Sequence, residues 1–102
     1  MAESVRAFFE GLAERVDPAR TAGMSNSFLF DVAGAGTWLV DVADGKVTVT
    51  EGGGEADATI STSEEVMARL ISGDQNPTAA YMTGKLKVRG DMGAAVKLQK
   101  LF

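Results

Sequence analysis

The sequence predicts an α+β two-layer domain, a five-stranded β-sheet whose helices all lie on one face. Three observations lead there. Alternating apolar residues mark five short strands, each apolar on one side only. Helical periodicity marks the leading segment, the stretch between the fourth and fifth strands, and the end of the chain. A sheet with a single apolar face needs covering from that side alone, so the helices share it. At 102 residues the chain can bury one core, and residues 1–102 read as a single domain without repeats, low-complexity tracts or linkers.

The first element is an amphipathic helix over Ser4–Val16, where Val5, Phe8, Phe9, Leu12 and Val16 recur at helical spacing. Asp17-Pro18 ends it. In SNSFLFDV, Phe28, Phe30 and Val32 share one strand face, opposite Ser27, Leu29 and Asp31. In GTWLVDVA, Trp38, Val40 and Val42 oppose Thr37, Leu39 and Asp41, and in KVTVT, Val47 and Val49 oppose Thr48 and Thr50. The links Gly34-Ala35-Gly36 and Asp44-Gly45 are short and glycine-bearing, so these three strands form an antiparallel meander.

After Gly52-Gly53-Gly54, DATIST supplies a fourth strand with Ala58 and Ile60 inward. Thr62 and Glu65 stand at capping-box spacing ahead of Val66, Met67, Leu70 and Ile71, which predicts a helix that Gly73 closes. Asn76-Pro77 provides N-cap and first turn of a second short helix through Met82, ended by Gly84. KLKVR, from Lys85 to Arg89, is the fifth strand, with Leu86 and Val88 inward and the three basic residues outward. Asp91 caps a final helix.

That last helix is greasier than packing requires. At about 100° per residue, Gly93, Lys97 and Lys100 fall on one strip, while Met92, Ala94, Ala95, Val96, Leu98, Leu101 and Phe102 spread over roughly 220°. One flank meets the sheet or a neighbouring helix; the other is left for more core, a protein partner, a membrane or a small apolar ligand. Gln99 sits inside the arc. A buried amide without a partner costs about 1–3 kcal/mol, so it requires a backbone carbonyl, a trapped water or a ligand's polar group. The inventory for the interior also includes Tyr81 and the pliable Met67 and Met82.

Composition removes whole classes of chemistry. The chain has no cysteine and no histidine, which excludes disulfides, thiolate-bound metals, Cys nucleophiles and His-dependent triads. Neither GAGTWL nor GGGEAD has the third glycine of a dinucleotide loop, and no phosphate-binding lysine loop occurs. Glu64-Glu65 read as favourable charge at a helix start, and Asp41 and Asp44 as a strand end and a turn. The expectation is therefore no enzyme, no cofactor and no metal. Net charge is −4, which gives no drive for nucleic-acid binding. Lys85, Lys87, Arg89, Lys97 and Lys100 nevertheless concentrate near the end against Asp91 alone, either as a solvated strand face or as a surface for an acidic head group or anionic membrane. No apolar run has transmembrane length, and MAESVRAFFEGLAERV lacks a signal peptide's basic start and apolar stretch. The expected location is cytoplasmic.

The stretch NPTAAYMTGKLKVRGDMGAAVKLQKLF, with DATISTSEEVMARLISGDQNP ahead of it, resembles the sterol carrier protein 2 family. The carriers of the likeness are Asn76-Pro77, Gly84-Lys85-Leu86-Lys87, Gly90-Asp91-Met92-Gly93 and Lys97-Leu98-Gln99. Its specific part is residues 57–101, and the leading helix, the Trp38 strand and the Asp44-Gly45 turn fit the same order. Gln99-Lys100-Leu101-Phe102 is not a peroxisomal signal of the Ser-Lys-Leu type.

The resemblance implies an apolar tunnel between sheet and helices. It also implies a noncatalytic role in binding and transferring sterols, fatty acids, fatty acyl-CoAs or phospholipids. Face assignment then nominates Phe28, Phe30, Trp38, Val40, Met67, Leu70, Ile71, Met82, Met92, Ala95 and Leu98 as the lining. Gln99 would meet a polar ligand atom, and Lys97 and Lys100 an anionic group at the mouth. The alternative is a docking or accessory module that presents lipid to a partner enzyme, or pairs with a second copy, through Leu101-Phe102.

Overall fold

The computed structural model describes residues 2–16, 18–91, 93, 96 and 97. In chain order the elements are α1 (Ala2–Arg15), α2 (Pro18–Thr21), β1 (Asn26–Ala33), β2 (Gly36–Ala43) and β3 (Lys46–Glu51). They continue with β4 (Ala58–Ser63), α3 (Glu64–Ser72), α4 (Pro77–Met82) and β5 (Lys87–Gly90). The five strands form one mixed sheet in the order β3-β2-β1-β4-β5. The first three make the expected antiparallel meander. Strand β4 returns parallel to β1, and β5 closes the far edge antiparallel to β4.

Strand alternation decides the core. Register sets Phe28 beside Val40 and Ala58, and Phe30 beside Trp38 and Ile60, all of them buried on the same face. Onto this face α1 lays Val5, Phe8, Phe9 and Leu12, and α3 lays Met67 and Leu70. Helix α1 packs against β3 and α3, and α3 against β1 and β4, which gives the two layers their contact.

The Asp44-Gly45 turn has positive φ at both residues, 52° and 82°, as a two-residue primed hairpin turn requires. It is stapled to the chain before the meander: the Gly45 amide donates to the Met24 carbonyl at 3.1 Å, and the Thr21 hydroxyl donates to the Gly45 carbonyl at 2.8 Å. Thr21 ends α2, a short turn of helix that the Asp17-Pro18 break hides from periodicity. The β3–β4 connection passes over the outer face, where a Cβ on Gly54 would lie 3.1 Å from the Leu39 side chain. The cross-strand pair Leu29 and Leu39 is half-buried there, so the outer face is less wet than alternation alone suggests.

Helix α1 runs Ala2–Arg15 instead of Ser4–Val16 and β4 runs Ala58–Ser63 instead of 57–62; the starts of α3 and β5 differ from the sequence reading for hydrogen-bonding reasons. The N-cap of α3 is Ser63, whose Oγ accepts the Val66 amide at 3.2 Å. The Thr62 hydroxyl instead turns inward and donates to the Lys85 carbonyl at 2.9 Å. Strand β5 starts at Lys87 rather than Lys85, because the Lys85 and Leu86 amides both donate to the Ala80 carbonyl, at 2.9 and 3.1 Å. At α4, Asn76 caps as expected, its Oδ1 accepting the Thr78 and Ala79 amides.

At the chain's end the Gly93 amide donates to Asp91 Oδ1 at 2.8 Å, the bond that Asp91 makes as an N-cap. The expectations for Met92, Ala94, Ala95, Leu98, Gln99, Lys100, Leu101 and Phe102 lie outside the described residues. Among the described residues no helix is long and apolar enough to cross a membrane.

Candidate functional site

Where α1 ends beside the α3–α4 turn, the helices part into a half-open cleft of ≈ 350 Å³. Helix α1 contributes Phe8, Leu12 and Arg15; α3 contributes Leu70, Ile71 and Ser72; the turn contributes Gly73, Gln75, Asn76 and Pro77. Helical spacing explains the first set, since residues four apart stack on one face and the next turn brings the Arg15 guanidinium alongside. The second set exists because α3 stops at Gly73, whose φ of 87° reverses the chain. The Gln75 amide then donates to the Arg69 carbonyl at 3.1 Å, tying the turn back to the end of α3.

The cleft is apolar inside and polar at its rim. Phe8, Leu12 and Leu70 are buried and Ile71 is half-buried. The Arg15 guanidinium carbon stands 5.4 Å from the centre of the Phe8 ring, a cation–π arrangement that keeps a permanent positive charge at the opening. The Asn76 carbonyl oxygen is committed to its cap, and the Ser72 hydroxyl donates within its own turn to the Arg69 carbonyl and the Asp74 carboxylate. Arginine is thus the cation of the rim, in an arrangement suited to an amphiphile with an apolar body and an anionic or polar end.

Of the residues nominated from sequence, Leu70 and Ile71 line this cleft. Phe28, Phe30, Trp38, Val40 and Met67 lie deeper, buried in the core. There the Phe9 ring occupies the space between the layers, 5.1 Å from Phe30 and 4.6 Å from Trp38. These ring contacts pack α1 onto the sheet, and the expected tunnel is not shown among the described residues. Met82 is 79% exposed, since the only buried residue of α4 is Ala80. Met92, Ala95, Leu98 and Gln99 are outside the described residues, and of the two mouth lysines Lys97 is exposed. Sequence reasoning placed Phe8 and Leu12 only in the core and missed Arg15, Gln75, Asn76 and Pro77. An arginine one turn beyond a core leucine was the available signal.

The fold is a one-sided α+β sheet with a cleft, apolar inside and edged by Arg15, between two of its helices. The chain belongs to the SCP-2 sterol transfer family, whose profile matches residues 7–102, and thereby to the lipid-binding and lipid-transfer domains. It is 38% identical over 79 residues to human hydroxysteroid dehydrogenase-like protein 2, covering 74% of this chain and 19% of that protein. It is 44% identical over 66 residues to rat sterol carrier protein 2, covering 64% and 12% respectively. The chain thus spans a fifth or less of the length of these curated relatives. The solution structure of palmitated SCP2L2 from Aedes aegypti shares the fold, with a TM-score of 0.75 at 21% identity, covering 97% of this chain and 91% of that one.

Proposed function

We propose that this domain is a noncatalytic lipid carrier that holds the apolar part of a fatty acid, fatty acyl-CoA, phospholipid or sterol in the cleft between α1 and the α3–α4 turn. The observation that carries the reading is the pairing of an apolar interior, Phe8, Leu12, Leu70 and Ile71, with Arg15 at the rim. The volume of ≈ 350 Å³ stands near the lower end of the range for small-molecule sites, about 300–1,000 Å³. Each buried methylene contributes about 0.8 kcal/mol, so eight of them supply about 6 kcal/mol before the entropy of association is charged. The palmitate of the mosquito relative supports a single acyl chain as the first candidate.

A longer ligand reaches the deeper residues by displacing rings. Phe8 meets Phe9 edge-on at 5.3 Å, and Phe9 stacks on Trp38, so the path inward from the cleft is a row of aromatic side chains. Phe28, Phe30, Val40 and Met67 form the floor of that path in this proposal, and Met92, Ala95, Leu98 and Gln99 belong to the same proposed set.

A second reading, delivery of lipid to an enzyme, is favoured by the size of the relatives, in which a segment like this one accounts for a small part of a longer protein. Thermal unfolding with palmitate, palmitoyl-CoA, a phospholipid and cholesterol tests the carrier reading. A ligand at about 100 times its Kd adds about 2.7 kcal/mol, which raises Tm by roughly 10 °C or more in a domain of this size. Absence of a shift across the panel would sink it.

A further inference from the structure

On the core side the cleft meets a set of aromatic rings already closed on one another. Phe8 lines the cleft, and its ring meets that of Phe9 edge-on at 5.3 Å. Phe9 stands outside the lining and is fully buried, stacked on Trp38 at 4.6 Å and 5.1 Å from Phe30. Phe8 itself is 5% exposed, and the Arg15 guanidinium carbon lies 5.4 Å from its ring centre. Its ring is thus held from the rim and from the core at once. Protein interiors are packed about as densely as organic crystals, which leaves a guest two places for its carbons. In the cleft they leave water and gain the hydrophobic term. Past Phe8 they take the room of a ring that was already buried, exchanging one apolar contact for another. A methylene occupies about the space of a water molecule, roughly 30 Å³, so the cleft's ≈ 350 Å³ is filled by about ten to twelve of them.

We propose that Phe8, backed by Phe9, limits the acyl chain that this cleft takes to about ten carbons. Up to that length each methylene raises affinity; beyond it, further carbons press on rings and add little. Phe8 touches the ligand and sets the limit. Phe9 is a positioning residue, which acts by denying the Phe8 ring room to turn. This limit rests on the carrier reading and deepens it, dividing fatty acids by chain length at one side chain.

Displacement of a fluorescent fatty acid by hexanoate, octanoate, decanoate, dodecanoate, myristate and palmitate tests it. From hexanoate to decanoate affinity is expected to rise about fourfold per methylene, and from dodecanoate to palmitate by less than about twofold in all. Trp38, the only tryptophan, is buried against Phe9, so its emission should stay unchanged with the three shortest acids. Phe8→Ala is expected to move the break to longer acids by about two carbons or more, and Phe8→Trp to shorter ones by about one or two. Phe9→Leu keeps the walls of the cleft and should also move the break to longer acids. Val42→Ala removes buried volume outside the lining and is expected to lower Tm with the break in place. Circular dichroism and Tm verify that each variant is folded; should Phe8→Ala fail to fold, Phe8→Trp and Phe9→Leu carry the test. A steady gain through palmitate, a Trp38 shift with hexanoate, or the same displacement of the break in Val42→Ala overturns the length limit and leaves the carrier reading standing. Failure of every acid to bind removes both.

Discussion

The Phe9 ring lies flat against the Trp38 indole, with centroids 4.6 Å apart and planes 12° from parallel. The pair fastens α1 to the middle of the sheet, and Phe30 closes on the same ring from the side. Phe9→Ala is expected to cost about 3–5 kcal/mol, a large part of the whole stability of a small domain, about 5–15 kcal/mol. Urea unfolding followed by fluorescence reads this directly, because Trp38 is the only tryptophan and is buried.

Two glycines at similar positive φ separate backbone strain from crowding. At Gly73, φ is 87° and a Cβ would meet nothing within 4 Å; at Gly90, φ is 95° and a Cβ would lie 2.5 Å from the Asp57 carbonyl oxygen. Gly73→Ala should therefore cost about 1 kcal/mol from conformation alone. At Gly90 the same substitution adds overpacking of about 1–3 kcal/mol and pushes on the bond from the Asp91 amide to Asp57. Denaturation midpoints of the two variants, measured side by side, check the ordering.

Asn76 satisfies two amides at the start of α4. Asn76→Ala should destabilise the domain by about 1 kcal/mol, and Asn76→Asp should keep most of the cap. Since Asn76 lines the cleft, the alanine variant also loosens the rim. Thermal melts give the first effect, and fatty-acid titration the second.

The cleft can be tested from both of its ends. Ile71→Trp places a large side chain in the opening at a half-buried position and should lower affinity for every lipid at least tenfold while the fold is kept. Arg15→Gln removes the rim charge and should weaken palmitate by about 1.5–3 kcal/mol, the worth of a hydrogen bond to a charged group, yet leave cholesterol nearly unchanged. Competition against a fluorescent fatty acid distinguishes the two variants. Equal weakening of palmitate and sterol by Arg15→Gln would refute a head-group role.

Local signals carried most of the fold. Asp44-Gly45 was readable because a two-residue primed turn tolerates few other sequences, and Asn76-Pro77 because cap and first turn leave a joint mark. Adjacent hydroxyls at Thr62 and Ser63 gave no such discrimination: only burial shows which one turns inward. The start of β5 shifted because a carbonyl on α4 captured two amides. The parallel pairing of β4 with β1 joins segments some thirty positions apart, such as Phe28 with Ala58, and no periodicity encodes it. The cleft was hidden for the same reason. Phe8 and Arg15 meet Ile71 and Pro77 only after the sheet has brought the two helices together, so the α1 stripe looked like core throughout. Met82 stands two positions after Ala80, the buried residue of α4, and so falls on the opposite side of that helix.

The strand order has a consequence for assembly. While the chain is being synthesised, β1, β2 and β3 can pair as soon as they emerge, since each joins its successor. One flank of β1 then stays bare until β4 emerges, and β4 in turn waits for β5. For that interval the nascent domain offers an open ladder of amides and carbonyls beside Phe28 and Phe30. Growth of the sheet thus starts at its central strand, reaches the β3 rim first and the β5 rim last, and a ribosome pausing before the fourth strand would hold the central strand half-paired.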